Sequence, residues 1–72
     1  MRIVKNKIYY DTFTKEYYVV VDMLDLSPDS VVFMRRLNDK EIIIFSTSYV
    51  TRRFKLVSKL KEILLKGIYE SI

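Results

Sequence analysis

A chain of 72 residues, half of them hydrophobic, can build one small core and has no room for a second. It contains no Cys and no His, which excludes disulfides, thiol nucleophiles, imidazole acid–base chemistry and metal clusters of the Cys/His type. The formal net charge of +4 directs attention to anionic partners.

Without cysteine staples, stability has to come from apolar burial, helped by self-association if the core falls short. A reducing, cytoplasmic setting is expected. The longest uninterrupted apolar run, Tyr17 to Val21, is far shorter than the roughly 20 residues that span a bilayer, so no membrane association is expected. The bias toward Ile, Lys, Asn, Tyr and Phe, with Ala absent, matches AT-rich coding sequence and suggests a short phage or bacterial gene.

In chain order, Ile3 to Tyr10 reads as a first strand, followed by a polar loop over 11–15 with Phe13 at its tip. Tyr17 to Leu24 is the strongest strand, because Tyr and Val favour a pleated, packed surface. Ser27, Pro28, Asp29 and Ser30 form a turn in which Pro28 presets φ. Val31 to Leu37 and Glu41 to Phe45 pair as a hairpin, with Asn38 and Asp39 placed where a tight turn tolerates positive φ. The hydroxyl-rich stretch Ser46 to Thr51 predicts a single helical turn before a short strand, Phe54 to Val57. Ser58 then caps a helix to about Tyr69, with Leu60, Ile63, Leu64 and Ile68 at i, i+3, i+4, i+8, and with Leu65 and Tyr69 widening the stripe.

The segments KIYYDTFTKEYYVVVDML, SVVFMRRLNDKEIIIF and STSYVTRRFKLV cover most of residues 7 to 57. Their order of five strands, a long first loop, a tight third hairpin and a helical turn before the last strand resembles the SH3-like small barrel. It is more similar to the KOW or Tudor-like kind than to signalling SH3 domains, whose acidic, Trp-bearing groove it lacks; the KOW glycine is also missing. The expected fold is mainly β with a C-terminal helix: a five-stranded antiparallel SH3-like barrel over 1–57, plus one α-helix over 58–72, packed on or extending from the same domain. The resemblance implies binding of nucleic acid or protein rather than catalysis.

Charge is polarised. Arg2, Lys5 and Lys7 open the chain, and Arg52, Arg53, Lys55, Lys59, Lys61 and Lys66 crowd residues 50 to 66 against Glu62, while acids outnumber bases over 11–41. Arg52 and Arg53 are the best phosphate ligands, because guanidinium forks grip phosphate bidentately; Lys55, Lys59 and Arg36 extend that set. The alternative is an ordinary solvated surface in which lysine stems cover apolar area. Adjacent tyrosines in a strand face opposite ways; Tyr10, Tyr18 and Phe13 are candidates to stack on bases, or else rings packed at a barrel rim.

Strands such as Glu41 to Phe45 are apolar on both faces. Whatever the helix leaves uncovered should bind a second copy or another protein. Ser46, Ser48 and Thr51 lack a base and fit capping better than nucleophilic attack. Asp22, Asp25 and Asp29 lack the spacing of a calcium loop. No catalytic residue, metal or cofactor is expected. The leading expectation is a non-catalytic module that engages nucleic acid, or the machinery acting on it, through a basic and aromatic surface. The alternative is a protein-interaction factor, such as a phage inhibitor or adaptor of a host protein, working through apolar strand or helix surface. A homo-oligomer is compatible with either.

Overall fold

The computed structural model describes residues 2–26 and 29–69. It contains β1 (Ile8–Asp11), β2 (Glu16–Asp25), β3 (Ser30–Arg36), β4 (Ile42–Ser46), α1 (Thr47–Arg53), β5 (Phe54–Leu56) and α2 (Lys59–Ile68). The strands form one antiparallel sheet in the order β4-β3-β2-β1-β5. Mainly β with a C-terminal helix is therefore the architecture. Among the described residues no ladder joins the edge strands β4 and β5; α1 spans the gap between them instead.

β1 is shorter at its start than the run Ile3 to Tyr10 suggests. Asn6 adopts φ 68, a left-handed conformation that Asn tolerates better than most residues, and this turns the preceding segment out of the strand. The segment is held by the Tyr9 hydroxyl, which accepts from the Val4 N–H at 2.9 Å and donates to the Arg2 carbonyl at 3.2 Å. β2 is bent where its pairing with β3 shifts register between Val20 and Asp22, as an inserted residue bends a strand and increases its twist.

Two hairpins share one turn design. In the first, Lys15 N–H donates to the Asp11 carbonyl at 2.7 Å; in the second, Lys40 N–H donates to the Arg36 carbonyl at 2.8 Å. Both lysines have φ 63. The second loop therefore runs over residues 37–40, and its left-handed residue is Lys40 rather than Asn38 or Asp39. Asp39 serves the loop differently, by accepting from the Glu41 N–H at 3.1 Å. Of the expected turn at Ser27 to Ser30, Ser27 and Pro28 lie outside the described residues, as does the end of segment 58–72 beyond Tyr69.

The hydroxyl-rich stretch is a full seven-residue helix rather than one turn. Ser46 caps α1 by accepting from the Tyr49 N–H, and Thr51 Oγ1 donates to the Thr47 carbonyl at 2.8 Å. Val50 is fully buried, which contributes roughly 1.5–3 kcal/mol.

The alternation of the strands divides the core in two. Tyr9, Tyr18, Val20, Val32, Met34, Val50 and Phe54 fill the inner face, with Ile43, Phe45 and Tyr49 against them. Here Tyr18, Phe45, Tyr49 and Phe54 form a ring cluster with centroids 5.2–6.1 Å apart. On the outer face, Ile8, Val19 and Leu37 meet Leu65 of α2, with Tyr17, Val21, Val57 and Tyr69 around them. α2 begins at its Ser58 cap, as its sequence indicates, but covers only part of this outer face. Ile42 and Ile44 of β4 remain more than half exposed.

Candidate nucleic-acid interface

Arg53 ends α1, and its carbonyl accepts from both the N–H and the hydroxyl of Thr12, at 2.9 and 2.7 Å. These bonds pin the β1–β2 loop to the end of α1. Asp11 shapes the same loop: buried, it accepts through Oδ1 from the N–H groups of Phe13 (2.9 Å) and Thr14 (3.4 Å). The outcome is that the Arg53 guanidinium carbon lies 4.0 Å from the centroid of the exposed Phe13 ring and 5.4 Å from that of Tyr49. A guanidinium stacked in this way keeps its in-plane N–H donors for an anion.

One row further along, β5 pairs with β1 so that Lys55 lies opposite Tyr10, and β1 pairs with β2 so that Tyr10 lies opposite Tyr17. The Tyr10 and Tyr17 rings are 4.9 Å apart, half-buried on the outer face, and Lys61 of α2 reaches over Tyr17 at 5.6 Å. Arg52 is exposed beside Arg53, and Lys59 is exposed at the first position of α2. None of Arg52, Arg53, Lys55, Lys59 and Lys61 has an ion pair among the described residues.

Six of the expected site residues, Arg52, Arg53, Lys55, Lys59, Tyr10 and Phe13, thus lie on or beside the β5 edge. Tyr18 and Arg36 do not join them. Tyr18 is buried in the inner ring cluster, because the loop over 12–15 sets Tyr17, not Tyr18, opposite Tyr10. Arg36 is committed to acids: Nε lies 3.1 Å from Glu16, and Nη1 lies 2.7 Å from Asp39 and 3.6 Å from Glu41. Its Nε also donates to the Tyr18 hydroxyl at 3.4 Å. The hydrogen bond that Arg36 donates to Tyr18, followed by the one it donates to Asp39, raises its pKa above the ordinary value.

Tyr17, Lys61 and Tyr49 join the site beyond the residues expected from sequence. For Tyr17 the signal was available in loop parity, since a hairpin closing on Asp11 and Glu16 must place Tyr10 and Tyr17 on one face.

An open cleft of about 560 Å³ lies elsewhere, lined by Ile3, Met23, Leu24, Asp25, Ser30, Thr47 and Thr51. The Asp25 carboxylate there is engaged by the Ser30 hydroxyl at 2.7 Å. Among the described residues no cluster of Asp and Glu is disposed to hold a metal ion, and no helix is long and apolar enough to cross a membrane. Compared with protein-family models, curated proteins and solved structures, the chain matches none of them.

Proposed function

We propose that the chain is a non-catalytic module that binds single-stranded nucleic acid along the β5 edge. The observation that carries this reading is the Phe13–Arg53 stack, an exposed ring and a guanidinium brought together from distant parts of the chain. Arg52, Lys55, Lys59 and Lys61 follow the backbone phosphates, while Phe13 and the Tyr10–Tyr17 pair offer faces to unstacked bases. Stacking contributes about 1–3 kcal/mol per base in such sites and is open only to bases freed from a duplex. The strand order β4-β3-β2-β1-β5, with a helix before β5, supports the likeness to SH3-like small barrels, in which binding rather than catalysis is the common use.

Anisotropy of labelled single-stranded DNA and RNA, titrated at low salt, tests the proposal. The unmodified chain is expected to bind, and the double substitution Arg52→Glu, Arg53→Glu to abolish binding; Arg52→Glu alone, at an exposed side chain, should weaken binding while leaving the thermal melt in place. Absence of binding to either strand chemistry at low salt refutes it.

A further inference from the structure

α2 carries its apolar stripe away from its own domain. At about 100° per residue, Glu62, Leu65 and Tyr69 fall on one side, and the two that anchor this side, Glu62 and Leu65, are buried against the sheet. Leu60, Ile63, Leu64 and Ile68 fall on the other side, exposed to between 56% and 70%. A helix that used its hydrophobic stripe for intramolecular packing would show the reverse. Four large aliphatic side chains aligned on one ridge form a patch of the kind that marks an interaction site.

The charges around the ridge describe its partner. Lys61 borders one flank, and Lys59 and Lys66 the other. The acid of the helix, Glu62, is turned beneath it, where its carboxylate oxygens lie 3.7 Å from Lys7 and from Lys66. Lys66 also lines a cleft of about 270 Å³ together with Asn6, Val19, Val21 and Arg35, which sets two valines beside two cations.

We infer that this face docks an acidic amphipathic helix of another protein, with Leu or Ile along its centre and Glu or Asp on its flanks. Such a helix answers both the ridge and the lysines, and its acids are complementary to the cleft that Arg35 and Lys66 line. A second copy fits less well, since paired α2 helices would bring their lysine flanks together with no exposed acid on the helix to offset them. A bilayer also fits less well: the helix is only about 15 Å long, and its exposed ridge has no aromatic residue to anchor at the headgroup level.

The test uses two labelled designed helical peptides with the same Leu stripe, one flanked by Glu and one by Lys, titrated by anisotropy. The Glu-flanked peptide is expected to bind and the Lys-flanked one not. The double substitution Leu60→Gln, Leu64→Gln should weaken binding at least about tenfold, and Lys61→Glu should weaken it further in the same direction. The double substitution should not alter the melt of the protein, because both leucine side chains are exposed. Amide shifts in the complex should fall on residues 60–68. Equal binding of both peptides, no binding of the Glu-flanked peptide, or binding insensitive to Leu60→Gln, Leu64→Gln overturns the inference. Dimerisation of the chain in sedimentation, or its capture by phosphatidylglycerol vesicles, likewise overturns it if that double substitution abolishes the effect.

Discussion

Lys15 and Lys40 hold the same position in two hairpins, at φ 63 and immediately before a glutamate. A left-handed conformation costs a residue with a Cβ roughly 1–2 kcal/mol, and glycine little, although glycine gives up more chain entropy on folding. Neither lysine sits in the interior of the fold. Lys15→Gly and Lys40→Gly should therefore each stabilise the protein by up to about 1 kcal/mol, read as a higher urea midpoint with unchanged slope. A lower midpoint for both would mean that the lysine side chains contribute more than the backbone strain removes.

Asp39 offers a titration. The Glu41 N–H, and then the Arg36 guanidinium, hold its carboxyl below the ordinary value of 3.8. A depressed carboxylate adds stability that is present above the ordinary value and lost as pH falls through the lower, folded one. Asp39→Asn should therefore be less stable than the unmodified chain at neutral pH, by a small amount because the group is exposed to solvent. The gap should close as the pH drops below that of ordinary aspartate. A gap that persists at the acid end would assign the effect to the amide rather than to the charge.

At the scale of elements, α2 separates two kinds of leucine one residue apart. Leu65 is 5% exposed in the outer cluster, and Leu64 is 56% exposed. Leu65→Ala should cost about 2 kcal/mol or more, and Leu64→Gln should stay within roughly 0.5 kcal/mol; urea unfolding of the two variants checks the contrast. The stripe was legible from sequence, but the side that docks was not. What sets the phase of the helix is its short tether: Val57 N–H is bound to the Ile8 carbonyl at 3.2 Å, which leaves Ser58 alone before the first turn. Glu62 then meets Lys7, and Leu65 reaches Ile8 and Val19. α1 is longer than its local signal for a related reason. Tyr49, Val50 and Thr51 favour strand locally, and it is the burial of Val50 and the stacking of Tyr49 on Phe45 at 5.2 Å that hold them in a helix. The strands needed no such help, because alternation and turn residues are local signals. The basic site was legible in its cations, which crowd one stretch of chain, and less so in its rings, whose facing depends on hairpin register.

For the whole molecule, the net charge of +4 understates the local field, because several acids are already used internally. Glu16, Asp39 and Glu41 surround Arg36, and Glu62 lies beneath α2, which leaves the cations of the β5 edge without an ion pair among the described residues. Binding to a single strand should weaken steeply with salt, and Arg52→Ala, Arg53→Ala should reduce the slope of log affinity against log salt by about 1.4. An unchanged slope would place those arginines off the phosphate path.

The tether that fixes the helix also sets the distance between the two binding surfaces. Lys55 and Lys59 are separated by four chain steps, at most about 14 Å, so an acidic partner on the ridge of α2 and a strand on the β5 edge would be near neighbours. A partner that itself held nucleic acid would present it here at an effective concentration of millimolar order. Because Lys59 and Lys61 serve both surfaces, the strand would then be held by Arg52, Arg53 and Lys55 and the helix by its apolar ridge and Lys66, two contacts that are each weak alone acting as one attachment.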